Sequence, residues 1–142
     1  MNRRQYRDYS FKVLFHACFY PEGEVLSQAD TYLKECMYPD EDQLLLLDEE
    51  RVDLENRLSL ILPHLPEIDE KITEASADWK TSRMSKVDLT IIRLALYEIY
   101  WDDDIPDKVA VNEAVELAKR YGGDDSPVFI NGVLSHFMKK EE

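Results

Sequence analysis

The stretch from Ile105 to Leu134, IPDKVAVNEAVELAKRYGGDDSPVFINGVL, constrains the fold more than any other part of the chain, because it holds two helices and the turn between them. From Val111, apolar or small side chains recur at Val111, Ala114, Val115 and Ala118, the i, i+3, i+4, i+7 stripe of a helix with one buried face. The alanines make that stripe shallow, so a neighbouring helix can approach closely. Gly122 and Gly123 follow, where a left-handed residue ends a helix most cheaply. Ser126 fits as the cap of the next helix with Pro127 at its first position, where the missing N–H costs nothing. That helix carries Phe129, Ile130, Val133, Leu134 and Phe137 on its apolar face, with Asn131 and Gly132 among them.

The rest of the chain reads the same way. Breaks fall at Pro21-Glu22-Gly23, Pro39-Asp40, Pro63 to Pro66, Thr81-Ser82-Arg83, Asp102 to Pro106 and Gly122 to Pro127, where turn-forming residues cluster. Seven helices are expected between them, near Arg3 to Phe19, Leu26 to Met37, Gln43 to Leu62, Leu65 to Ala77, Lys86 to Trp101, Asp107 to Tyr121 and Pro127 to Lys139. Ser85-x-x-Asp88 opens the fifth with a pattern like a capping box, a carboxylate replacing the usual Glu or Gln. Val87, Leu89, Ile91, Ile92, Leu94, Ala95, Leu96 and Ile99 leave that helix no wide wet face, which marks it as central and buried. Glu98, Asn112 and Asn131 are expected to be structural hydrogen-bonding groups, since a buried polar group without a partner is costly. The expected class is all-α, with helical subdomains near residues 1–80 and 81–142.

At 142 residues the chain is long enough to bury a core without staples. Cys18 and Cys36 form no CxxC pair, and a reducing cytoplasm is the expected setting. The basic start at Arg3 and Arg4 leads into no continuous apolar core, so no signal peptide is expected. The longest clean apolar block, Leu44 to Leu47, falls far short of the roughly 20 residues that cross a bilayer. His16, His64 and His136 are scattered, and no nucleophile elbow or phosphate-binding glycine motif is present. No enzyme, metal or cofactor is expected, and Asp102 to Asp104 reads as a solvated loop.

Charge is the informative part of the composition. The chain sums to −13, yet residues 1 to 20 carry Arg3, Arg4, Arg7 and Lys12 against Asp8, a local +3 that leaves −16 for the remainder. A single cationic patch on an acidic body favours selective docking of a polyanion over indiscriminate binding. At 100° per residue, Tyr6, Ser10, Val13 and Ala17 share one side of the first helix, expected to face the core. Arg4, Phe11 and Phe15 share another, flanked by Arg3 and Arg7. Guanidinium groups with aromatic rings suit single-stranded RNA; read on composition alone, the same residues widen the core and solubilise a terminus.

IRLALYEIY from Ile92, VAVNEAVELAKRYG from Val109 and SPVFINGVL from Ser126 occur in that order with short gaps. The run resembles the NusB family of transcription antitermination factors, whose signature reads LRxALYEL, VAINEAVELAKxFG and S-x-x-FVNGVL. Arg3, Arg4, Arg7 and Leu14-Phe15 fit the family's arginine-rich first helix, while Pro21 to Lys80 matches in length and helical pattern only. The resemblance implies that Arg3, Arg4, Arg7 and Phe15 bind boxA RNA, with Asp125 and Phe129 beside the same RNA surface. It implies docking of NusE, a small-subunit ribosomal protein, around Lys86 and Asp88. The pair would then join the elongating RNA polymerase and suppress termination in ribosomal RNA operons, and a homodimer stays open. Gln5, Tyr6 and Tyr9 depart from the family's arginines and alanines, and Phe15 replaces a common tyrosine. Fewer phosphate contacts are expected, and Phe15 cannot donate a hydroxyl hydrogen bond. The rival readings are a helical RNA-targeting module working with a separate ribosomal RNA methyltransferase, and a protein-binding adaptor that recruits basic partners.

Overall fold

The computed structural model describes residues 1–37 and 45–138. Among them are seven α-helices and no strand: α1 Arg3–Phe15, α2 Val25–Cys36, α3 Asp48–Ile61, α4 Leu65–Ala75, α5 Lys86–Trp101, α6 Asp107–Tyr121 and α7 Ser126–Ser135. Short 3₁₀ turns lie at His16–Cys18, Glu22–Glu24, Leu62–His64 and Thr81–Arg83. The expected fifth and sixth helices match α5 and α6 in both bounds. The expected first helix ran on to Phe19, but α1 closes at Phe15 and tightens into the His16–Cys18 turn, which satisfies terminal carbonyls that a longer helix would leave open. The breaks at Pro39-Asp40, the start at Gln43 and the end at Lys139 lie outside the described residues.

No described helix is long and apolar enough to cross a membrane. The chain divides into two compact units, residues 1–63 and 64–142. The sequence reading placed the division near residue 80, so α4 belongs with the second unit instead of the first. The physical reason is a clip to α5: Arg93 donates from Nε to Asp69 Oδ1 at 2.9 Å and from Nη2 to Asp69 Oδ2 at 2.7 Å, the bidentate geometry that makes such pairs directional.

In the first unit, α1 and α2 both pack on α3, burying Leu14, Leu33, Leu54 and Leu58. Arg51 on α3 donates to Asp30 on α2 at 2.8 Å and to Glu55 one turn on at 2.6 Å. In the second unit, α5 contacts α4, α6 and α7. Every α5 residue from Leu89 to Ile99 except Arg93 is buried, as its all-round apolar sequence requires.

The α6–α7 turn differs from expectation in three details. No described glycine has a positive φ, and Gly122 is extended at φ −93° and ψ −174°. Glycine is needed there for space: a Cβ would lie 2.6 Å from Ser126 Cβ and 2.9 Å from the Ala118 carbonyl oxygen. Ser126 is the first residue of α7, and its Oγ accepts from the Gly123 N–H at 3.0 Å instead of capping forward. Asp125 occupies the cap position without a side-chain cap bond. Glu98 is buried as expected, but Asn112 and Asn131 are exposed, because each falls on the outer side of its helix.

Candidate nucleic-acid interface

The basic cluster sits on the first turns of α1. Asn2 and Gln5 form a reciprocal capping box, with the Gln5 N–H donating to Asn2 Oδ1 and the Asn2 N–H donating to Gln5 Oε1, both at 2.9 Å. The Asn-x-x-Gln spacing carries that signal in the sequence. The box starts the helix at Arg3, so Arg3 and Arg4 project from the first turn and are exposed, while Arg7 is half-buried. No acidic residue shares that turn. Cations at this end oppose the helix dipole and cost about 0.3–1 kcal/mol each at most. The same end, with its open N–H groups and positive partial charge, attracts phosphate. An arrangement that costs the helix stability and favours an anion is what a polyanion-binding surface requires.

Along the helix, the aromatic residues divide between core and surface. Phe11 is buried, together with Ser10, Val13 and Leu14, whereas Tyr6 and Ala17 are half-buried. The core stripe is therefore rotated from the expected one, and Phe11 leaves the arginine face. Phe15 is half-buried, 5.9 Å from Phe11 with rings 27° apart. Phe19, absent from the expected site residues, meets Phe15 edge-on at 4.9 Å and is exposed. Its i+4 spacing from Phe15 was the available signal.

A groove of about 490 Å³ flanks α1 on another side, lined by Gln5, Asp8, Tyr9 and Lys12 with Tyr32 and Glu35 of α2. Burial, and then the adjacent Cys36 thiol, pushes the Tyr9 phenol up from its ordinary 10.0. Asp8 and Glu35 oppose Lys12 here, so phosphate is favoured at the arginines and not in this groove.

The other predicted residues belong to the second unit. Asp88 lies in the first turn of α5, where its N–H donates to Ser85 Oγ at 3.1 Å. Only half of the capping box forms: Asp88 Oδ1 is shielded and has no hydrogen-bond partner among the described residues. Asp125 is exposed and Phe129 is half-buried on α7, whose N–H donates to the Asp125 carbonyl at 3.1 Å. Arg3, Arg4, Arg7 and Phe15 thus share α1, Asp125 and Phe129 share the start of α7, and Asp88 stands at the start of α5. Among the described residues no group of three or more His, Cys, Asp or Glu side chains is placed to hold a metal ion.

Comparison with known proteins covers nearly the whole chain. The family model described as NusB family matches residues 4–139. The chain is 47% identical over 137 residues to the transcription antitermination protein NusB of Agathobacter rectalis, covering 96% of this chain and 99% of that protein. It is 42% identical over 137 residues to that of Lachnoclostridium phytofermentans, covering 95% and 97%. A solved structure of T. maritima NusB superposes with a TM-score of 0.73 at 31% identity, covering 99% of this chain and 93% of that one. With the three C-terminal motifs, the all-helical architecture and matches along almost the full length in agreement, the chain belongs to the NusB family.

Proposed function

We propose that this chain is a transcription antitermination factor that grips boxA-type single-stranded RNA through Arg3, Arg4 and Arg7 of α1. The observation that carries the reading is the cluster itself: a local net charge of +3 over residues 1–20 in a chain of −13, with Arg3, Arg4 and Arg7 in the first turns of a helix. Phe15 offers part of a ring face at the other end of α1, and Asp125 and Phe129 belong to the same function from the second unit. NusE pairs through the start of α5, where the half-buried Asp88 in the first turn gives a carboxylate for a basic partner residue to meet. The NusE pair then joins the elongating RNA polymerase and keeps it processive through ribosomal RNA operons. The protein acts by binding, without catalysis, metal or cofactor.

The test is RNA binding with and without NusE across a salt series. Three phosphates neutralised by three arginines give a log–log slope of about −2, at roughly −0.7 per single-strand contact. Replacing Arg3, Arg4 and Arg7 together with alanine flattens that slope. An unchanged slope and affinity places the RNA site elsewhere.

A further inference from the structure

Phe19 is the exposed end of an aromatic ladder that begins in the core. The buried Phe11 backs the half-buried Phe15, and Phe15 backs Phe19 at 4.9 Å with ring planes 74° apart. Phe19 is 55% exposed, a large apolar ring standing in water just beyond the end of α1. Tyr20, the next residue, is 38% exposed and lies nearly parallel to His16, with centroids 5.8 Å apart. A ring held from behind has little rotamer freedom left to lose when a ligand covers it.

The charges around this ring select what covers it. Glu22 and Glu24 follow at once in the next turn, against the single cation Lys12 in the last turn of α1. Phosphate is therefore disfavoured at Phe19, while the uncharged face of a base is not. From Arg3 to Phe15 α1 rises about 18 Å at 1.5 Å per helical residue, and Phe19 follows just past the His16–Cys18 turn, a span of several nucleotides of extended strand. A strand held by its phosphates at the arginines reaches Phe19 with a base further along.

We propose that Phe19 stacks on one unpaired base of the single-stranded RNA whose phosphates α1 holds, forming an aromatic contact separate from the arginines. The proposal rests on the RNA-binding reading above, and it makes the far end of α1 a place where the presence of a base and the length of the strand are felt. Stacking is worth about ten-fold in affinity per base in the lower half of its usual range.

The probe is a boxA-type RNA and a series of copies in which one nucleotide at a time is abasic, titrated with and without NusE against wild type, Phe19→Ala, Phe19→Leu and Phe19→Trp. Alanine and leucine each weaken binding of the boxA-type RNA about ten-fold with an unchanged salt slope, tryptophan holds or tightens it, and all four proteins stay folded at the assay temperature, alanine melting a few degrees lower for the lost edge-on contact with Phe15. One abasic position costs affinity in the wild type and nothing further in Phe19→Ala. Full affinity in Phe19→Leu overturns stacking, since leucine keeps apolar bulk without a π face. Abasic losses equal in wild type and Phe19→Ala overturn it as well. A variant that instead loses NusE pairing or self-association in the absence of RNA moves Phe19 to a protein interface. The failure of the underlying reading is a different result: the arginine triple variant then keeps both slope and affinity, whatever Phe19 does.

Discussion

Gly122→Ala is the most demanding check of the α6–α7 turn, because two opposite effects are separable there. Alanine restricts the unfolded chain, which by itself stabilises a compatible site by about 0.4–1 kcal/mol. At Gly122 the new Cβ would stand 2.6 Å from Ser126 Cβ, 2.7 Å from Ser126 Oγ and 2.9 Å from the Ala118 carbonyl oxygen. The last of these is backbone, and it accepts the Gly122 N–H at 2.9 Å that closes α6. It cannot retreat without opening that bond. Ser126 is 6% exposed and its Oγ accepts from Gly123, so it too is held. Overpacking of this kind costs about 1–3 kcal/mol, leaving a net loss of roughly 1–2 kcal/mol after the entropic gain. For a chain of this size the melting temperature falls by roughly 3–8 °C. Gly132 is the internal control: it is exposed inside α7, and a Cβ there meets nothing within 4 Å. Gly132→Ala gains about 0.5–1 kcal/mol and melts higher. Thermal unfolding followed by circular dichroism compares both with wild type, together with Gly122→Ala/Ser126→Gly, which removes two of the three clashes and softens the loss. If Gly122→Ala melted at or above wild type, the close approach would not be the reason for glycine.

Two further outcomes follow from the proposed function and one from the geometry. Asp125→Asn raises RNA affinity several-fold at low salt, since a carboxylate a few ångströms from phosphate costs on the order of 1 kcal/mol before screening. Its melting temperature barely moves, because Asp125 makes no side-chain cap bond; equal affinities with a lowered melt would remove this turn from the RNA surface. Asp88→Lys abolishes pairing with NusE while the fold survives, as read by co-purification beside a thermal melt, and intact pairing takes Asp88 out of the interface. The Asp30 carboxyl is held below its ordinary 3.8 first by its hydrogen bond with Lys34 and then by that with Glu55, so it contributes stability above that value that is lost as pH falls through the folded value. Glu55, pushed up first by burial and then by Asp30, acts in the opposite sense. Asp30→Asn is therefore less stable than wild type at neutral pH, and the difference closes in denaturant titrations at about pH 2; a gap that persists in acid would assign the loss to shape instead of charge.

Local pattern alone carried much of this protein. The apolar spacing determines α5 and α6 to the residue: α5 is buried on most of its surface, which leaves no choice of period or phase, and the one-faced stripe of α6 is bracketed by Pro106 and Gly122. The charge asymmetry that sets Arg3, Arg4 and Arg7 apart from an acidic chain is likewise a property of sequence, and so is the family signature from Ile92 to Leu134. What sequence could not decide depends on which atoms meet across space. Whether Phe11 faces core or solvent turns on a rotation of α1 too small for periodicity to resolve, and packing on α3 decides it. Gly122 is a glycine on either account, but only the approach of Ser126 and the Ala118 carbonyl distinguishes lack of room from a left-handed backbone. The placement of α4 with the second unit follows from Arg93 meeting Asp69, two residues 24 positions apart whose encounter no local pattern contains. Phe19 is an ordinary aromatic in the sequence, and becomes a candidate contact only because the helix ends before it and leaves its ring in water.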